Sequence, residues 1–208
     1  MCTNTRAKEK KTIPLWLKIS WTVFLVVWTV LYWRHYGPEN FLWFCDLANF
    51  IIALSLWIES PLLLSSQGVS ILIVQLCWIL DVAGRYLSGF HLIGGTEYIF
   101  VSEIPLGIRL LSLFHIITPL LVLWAIGKTG YDRRGWIVQT GIAWIILPVS
   151  YVFTGPDKNI NWVWGLFGRP QTAFDPHFYF LLLMAGYPLL IYLPTHLLFC
   201  RLYSNKVL

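Results

Sequence analysis

Residues 105–126 read PLGIRLLSLFHIITPLLVLWAI, a run in which Arg109 is the only charged side chain at neutral pH. A helix needs about 20 consecutive, mostly apolar residues to cross the hydrocarbon core of a bilayer. Runs of similar length and character recur along the chain, at residues 15–34, 41–59, 62–81, 136–154 and 178–200. The sequence therefore predicts an all-α polytopic membrane helix bundle of about six transmembrane helices, built as a single integral membrane domain over residues 1–208.

The amino-acid composition agrees with a membrane location. Hydrophobic residues make up 57% of the chain and charged residues only 12%, whereas soluble domains carry roughly 25% charged residues. So little charge cannot cover the surface of a soluble globule of this size, which excludes soluble enzymes, nucleic-acid-binding modules and disordered regulators. The expected partners are membrane lipids and, in a membrane complex, other membrane-protein subunits. No nucleic-acid partner is expected.

The basic residues predict the orientation of the chain. Lysine and arginine accumulate in segments on the cytoplasmic side of a membrane. With the N-terminus inside, ten of the 15 basic residues lie on the cytoplasmic side and five on the outer side. The ten belong to a basic tail over residues 1–14 with Lys18, the loop 127–135 and the C-terminal segment. We predict a multi-pass protein of the cell membrane with both termini cytoplasmic.

Three of the predicted spans bring polar residues to the outer half of the membrane. Ionisable groups are costly inside a bilayer, so each is a candidate functional residue. The set comprises Cys45, Asp46 and Asn49 in the second span, Asp81 and Arg85 at the end of the third, and Arg109, Ser112 and His115 in the fourth. The two long polar loops, 82–104 and 155–177, fall on the same side. A functional site is predicted there.

The spacing within each helix indicates which of these residues share a face. Cys45 and Asn49 are four residues apart and lie on one face of a helix. Asp81 and Arg85 have the same spacing, which suits a structural ion pair. Arg109 either extends toward lipid headgroups or binds a phosphate or carboxylate, and it shares one stripe with Ser112 and His115.

The chemistry predicted for this site depends on a thiol. Cys45, with Asp46 beside it and His115 on another span, could act as a thiolate nucleophile. The alternatives are a small buried apolar residue for Cys45 and a hydrogen-bonded packing residue for His115. Along the membrane normal the two residues are expected to be offset by roughly 9 Å. No metal or cofactor is expected, because the cysteines lack CxxC spacing and the histidines lack ligand spacing.

Three short segments of the chain resemble the YwaF-type integral membrane proteins. They are FCDLA at residues 44–48, SLFH at 112–115 and NINW at 159–162, and the resemblance extends over roughly residues 41–200. One branch of that family is linked to acyl transfer between phospholipids through a membrane-embedded cysteine and histidine. The resemblance thus implies that Cys45 accepts the acyl group and His115 is its base. The chain departs from the family at Trp43-Phe44, where the family has a histidine before the cysteine.

Two classes of function stay open at the level of sequence. The first is a lipid acyltransferase or hydrolase, with Cys45 and His115 catalytic, Asp46 supporting, and Arg109, Asn49, Asn161 and Ser112 as candidate substrate contacts. The second is a non-enzymatic membrane protein, either an accessory subunit or a transporter. Transporters commonly show internal repeats and paired interrupted helices, and neither is visible in the sequence.

Overall fold

The computed structural model describes residues 12–203, and the protein is an all-α bundle with no strand in that part of the chain. Most of the basic tail, residues 1–11, and residues 204–208 lie outside the described residues. The α-helices are α1 (Leu15–Tyr36), α2 (Phe44–Ile58), α3 (Pro61–Ser88), α4 (Leu106–Leu111), α5 (Phe114–Thr129), α6 (Gly135–Phe153), α7 (Pro176–Gly186) and α8 (Leu193–Leu202). Short 3-10 turns occupy Pro38–Leu42, Glu97–Ile99 and Ile160–Trp162, and a π-helical segment occupies Tyr187–Tyr192.

Five helical stretches within the described residues are long and apolar enough to cross a membrane. They are Leu15–Tyr36, Pro61–Ser88, Leu106–Thr129, Gly135–Phe153 and Pro176–Leu202. The second predicted span, residues 41–59, is shorter than predicted, because Pro38–Leu42 forms a 3-10 turn and α2 has only 15 residues. At 1.5 Å per residue, α2 is about 22 Å long, less than the thickness of the hydrocarbon core.

Two of the long stretches are interrupted. Between α4 and α5, Ser112 and Leu113 have ψ angles of −11° and −8°, far from the value near −42° of a regular α-helix. Between α7 and α8, the π-helical segment includes Pro188, and Pro194 follows within α8. Interrupted helices of this kind occur in membranes where neighbouring groups satisfy the freed backbone polar atoms.

Helix α3 is the centre of the bundle and packs against α2, α5 and α6. It begins at Ser60, whose hydroxyl accepts the Leu63 amide at 3.3 Å, with Pro61 in the first turn. Its interior face is unusually polar, and its buried polar residues are Ser65, Ser66, Gln67, Ser70, Gln75 and Asp81. Small and polar side chains let membrane helices approach closely and bond across their interface.

Side-chain contacts define the two ends of the bundle. Lys18 of α1 pairs with Glu59 at 2.7 Å, immediately before α3 begins. One turn into α3, the Ser65 hydroxyl accepts the Asp132 amide from the α5–α6 turn. We call this end the Glu59 end. At the opposite end, called the Asp46 end, α2 begins, α3 finishes and the loops 89–105 and 154–175 fold. The first residues of α1 and the last residues of α8 both lie at the Glu59 end.

Candidate functional site

The first turn of α2 is fixed by a side chain from a distant loop. The Asn161 side-chain oxygen accepts the Phe44 amide at 2.9 Å, and its Nδ2 donates to the Leu42 carbonyl at 2.7 Å. First-turn amides have no acceptor within their own helix, so this asparagine supplies what the helix lacks. Asn161 thus holds the start of α2, and its predicted role as a substrate contact stays a prediction.

Cys45 and Asp46 follow in that first turn. The Cys45 thiol donates to Asp46 Oδ1 at 3.8 Å, and Asn40 Nδ2 donates to Asp46 Oδ2 at 2.6 Å. Asp46 is buried, whereas Cys45 is half-buried. The positive end of the α2 dipole favours the Asp46 carboxylate, whereas a carboxylate beside a buried thiol opposes a second negative charge on the sulfur.

His115 lies in the first turn of α5, and its tautomer follows from its contacts. Its Nδ1 donates to the Ser112 carbonyl oxygen at 2.7 Å, because a carbonyl can only accept. The Nε2 atom therefore carries the lone pair. Trp78 and Phe114 both stack on the His115 ring, at centroid distances of 4.5 Å and 4.1 Å. Among the described residues, no hydrogen bond joins His115 to Cys45.

The two residues nevertheless lie at nearly the same depth. Helices α2 and α5 both run away from the Asp46 end, and the Thr118 hydroxyl of α5 donates to Asn49 Oδ1 of α2 at 3.4 Å. Cys45 precedes Asn49 by four residues and His115 precedes Thr118 by three, so their depths differ by about 1.5 Å. This inferred difference is smaller than the roughly 9 Å expected from the sequence.

Hydroxyl groups surround this region. The Tyr32 and Ser112 hydroxyls are 2.6 Å apart, and the Trp78 indole donates to the Tyr98 hydroxyl at 3.1 Å. Burial raises the pKa of Tyr98, and hydrogen bonds with Ser112 and Trp78 offset part of that rise. The neighbouring carboxyl of Asp46 raises the pKa further. Tyr98 is therefore a neutral hydrogen-bond donor at physiological pH.

Arg109 is turned toward the loop that covers this end of the bundle. Its Nη1 donates to the Ile99 carbonyl at 3.1 Å. Its Nε atom is buried and has no hydrogen-bond partner in the described part of the chain. A guanidinium with an unused buried donor can still bind an anionic group, but the structure shows only its contact with the loop.

The ion pair predicted between Asp81 and Arg85 does not form. The Asp81 carboxylate instead accepts the amides of Ile93 and Gly94 at 2.6 Å and 3.0 Å. It also bonds the Thr96 hydroxyl and His91 Nδ1. Arg85 is exposed, with its guanidinium carbon 5.9 Å from the centre of the Phe100 ring. The loop 89–96 folds back over the end of α3. Its donors bind the Asp81 carboxylate, which the sequence spacing had paired with Arg85.

Two buried amide side chains in the same region lack partners among the described residues. Gln75 has no partner for either side-chain polar atom, and Asn49 has none for Nδ2. Because α3 and α5 are antiparallel and Trp78 stacks on His115, Gln75 and Thr118 lie at one depth, beside Asn49. Buried polar atoms without partners are costly, and they concentrate here, next to Cys45 and His115.

The sequence did not single out several residues that build the site. They are Asn40, Tyr32, Trp78, Tyr98 and Gln75. Aromatic residues near span ends are usually interfacial anchors, and only their three-dimensional partners distinguish Tyr32, Trp78 and Tyr98. Gln75 was recognisable in principle, since it is an uncharged but strongly polar residue within a predicted span.

The described structure also contains a cavity of about 230 Å³ at the Asp46 end, between the loop 154–175 and α7. Its lining includes Pro156, Trp164, Gln171 and Tyr179. None of the predicted site residues lines it. In residues 12–203, no group of three or more histidine, cysteine or acidic residues could hold a metal ion.

The fold and the buried polar site together define a helical protein of the multi-pass membrane class. Comparison with known proteins adds no family to that class: no family model, no curated protein and no solved structure matches the chain. The resemblance to the YwaF-type proteins therefore stays a prediction from the segments around Cys45, Ser112 and Asn159.

Proposed function

We propose that this multi-pass membrane protein transfers or hydrolyses acyl groups of membrane lipids, with Cys45 as the acyl acceptor. The observation that carries the proposal is the pairing of the Cys45 thiol with the Asp46 carboxylate in the first turn of α2. A thiol next to a proton acceptor and a helix N-terminus is typical of a nucleophilic cysteine.

We assign the proton of the Cys45 thiol to Asp46, whereas the sequence assigned it to His115. Asp46 lies next to the thiol and takes its proton as the sulfur attacks an ester carbonyl. The alcohol then leaves with the proton that Asp46 took from the thiol. Water or a second alcohol next attacks the thioester, and His115 Nε2, at almost the same depth, is proposed to take its proton and return it to the Cys45 sulfur as the acyl group is released.

The surroundings supply donors for the negative charge that develops on the carbonyl oxygen. The hydroxyls of Ser112 and Tyr98 are hydrogen-bonded members of the same buried region. Donors fixed in a site of low dielectric stabilise such an oxyanion more than water does. Following the basic-residue asymmetry, we propose that the Asp46 end faces the outside and that the protein resides in the cell membrane.

The test is acylation of the purified protein in nanodiscs that contain phosphatidylcholine with an alkyne-tagged acyl chain. We expect a hydroxylamine-sensitive label that mass spectrometry maps to Cys45. Cys45→Ser removes the label from that position, and Asp46→Asn slows labelling at least tenfold. Cys77→Ser is the matched control, because Cys77 is also a half-buried cysteine in a membrane helix. An unlabelled Cys45 in folded wild-type protein would overturn the proposal.

A transporter is the second candidate, and two observations favour it. The stretch Leu106–Thr129 is interrupted at Ser112–Leu113, and the last long stretch contains the π-helical segment Tyr187–Tyr192. Interrupted helices are typical of transporter binding sites, and the unpaired amides of Gln75 and Asn49 lie beside the first interruption. Uptake of a small polar solute into liposomes, lost in Gln75→Leu and retained in Cys45→Ser, would support transport over acyl transfer.

A further inference from the structure

A thiol–imidazole pair lies at the Glu59 end, remote from Cys45. Cys200 and His196 are both on α8, and the Cys200 sulfur is 3.7 Å from His196 Nε2 and 4.0 Å from Nδ1, so the thiol contacts the imidazole on the side that the two nitrogens share. Residues four apart share one face of a helix, which brings thiol and imidazole together. The Tyr131 hydroxyl, from the α5–α6 turn, is 2.7 Å from His196 Nδ1.

The tyrosine holds the imidazole in place. Tyr131 is fully buried, and its ring packs edge-on against Phe199 at 5.3 Å between centroids. With the ring hydrogen on Nδ1 and directed at the Tyr131 oxygen, Nε2 is free to accept the Cys200 proton. A nucleophile next to a base that a third group orients is the arrangement that covalent catalysis requires.

The surface around Cys200 is suited to an amphipathic donor. On the lipid-facing side of α8, Leu197 and Leu202 are 54% and 61% exposed. Basic side chains border the same end: Arg201 follows Cys200 directly, and Arg133 is exposed and interacts electrostatically with His196. An apolar surface beside cationic side chains fits a ligand with a long acyl chain and a phosphate-bearing head.

We propose that Cys200 is a second acyl-acceptor site, which takes a long-chain acyl group from a phosphate-bearing acyl thioester, with His196 as base and Tyr131 as its positioning residue. The Cys200 S–H bond breaks as the sulfur bonds to the acyl carbon, and Nε2 takes the proton. The donor C–S bond then breaks, and the departing thiolate recovers that proton from the imidazolium. The products are acyl-Cys200 and a free thiol, with no oxidant or reductant.

The experiment incubates the full-length protein in nanodiscs with alkyne-tagged palmitoyl-coenzyme A and maps hydroxylamine-sensitive label by mass spectrometry. We expect label on Cys200, its loss in Cys200→Ser, and an acylation rate at least tenfold lower in His196→Gln. Cys77→Ser is the control and keeps the label. A parallel sample with an alkyne-tagged phospholipid as sole donor distinguishes an ester donor from a thioester donor, and label on Cys200 in that sample alone contradicts the proposal.

Tyr131→Phe separates positioning from packing, because phenylalanine keeps the buried ring and removes only the hydroxyl. We expect a lower maximal acylation rate with an unchanged half-saturating donor concentration, and an unchanged melting temperature. Labelling at the wild-type rate in His196→Gln, or no label on Cys200 in folded protein, overturns the proposal. Mass spectrometry detects Cys45 and Cys200 in different proteolytic peptides. A missing label on one cysteine therefore contradicts the proposal for that cysteine and leaves the other proposal unaffected.

Discussion

Asp81 is a buried carboxylate that the protein uses to fold a loop. Its two oxygens accept from two backbone amides, a hydroxyl and a histidine nitrogen, so the carboxylate needs no lysine or arginine partner. Gly94 contributes one of those amides in a conformation with φ of +94°, which L side chains rarely adopt. Sequence spacing could identify Asp81 as unusual, but it could not show that the chain returns twelve residues later to bind it.

Replacing Asp81 by asparagine should destabilise the protein. The substitution turns one acceptor oxygen into a donor that faces other donors, and each buried group left without a partner costs about 1–3 kcal/mol. We expect a loss of about 2–4 kcal/mol in the free energy of unfolding, measured by thermal or denaturant unfolding in detergent. Arg85→Gln is the control and should change stability by less than about 1 kcal/mol, since only an exposed contact with Phe100 is lost. Equal losses in the two variants would restore the ion-pair interpretation.

At the level of elements, hydropathy predicted where the chain crosses the membrane better than it predicted how each helix is built. The apolar runs recover the five long stretches, because burial in lipid depends on composition alone. The 3-10 turn before α2, the break at Ser112–Leu113 and the π-helical segment depend on partners elsewhere in the fold. The start of α2 is the clearest case, because its capping group, Asn161, comes from a loop more than 100 residues later.

Asn161→Ala should therefore loosen the beginning of α2. The variant leaves the Phe44 amide and the Leu42 carbonyl without their partner, and we expect a stability loss of about 2–4 kcal/mol. Asn161→Asp is the comparison: it keeps an acceptor for the Phe44 amide but sets a carboxylate oxygen against the Leu42 carbonyl, so it should not restore the stability lost in the alanine variant. Hydrogen exchange of the α2 amides should rise in the alanine variant before that of α6. Unchanged exchange at residues 44–47 would contradict the capping role.

Over the whole molecule, the site residues predicted from sequence lie near one another but have different roles. Cys45, Asp46, Asn49, Ser112 and His115 lie toward the Asp46 end, where their site roles stay predictions, while Asn161 and Asp81 hold the first turn of α2 and the loop 89–96. The thiol–imidazole pair of Cys200 and His196 is not distinctive in the sequence, because its orienting group, Tyr131, belongs to the α5–α6 turn. Helical spacing alone does not distinguish a packed cysteine from one with a fixed base.

The number of crossings and the orientation are testable together. With α2 counted as a crossing, the chain passes through the bundle six times, which places the loop 89–105 and the turn 130–134 on opposite sides. Ser102 and Arg133 are exposed positions in these two connections. Tyr131 is buried, so a cysteine introduced there would not react with the label. In intact cells, a membrane-impermeant maleimide should label Ser102→Cys, and it should label Arg133→Cys only after permeabilisation, because the basic residues favour the cytoplasmic side.

The reverse pattern would invert the orientation and put Cys200 outside, away from cytoplasmic acyl thioesters. Labelling of both variants in intact cells would mean that α5 does not cross the membrane, contrary to its length and composition.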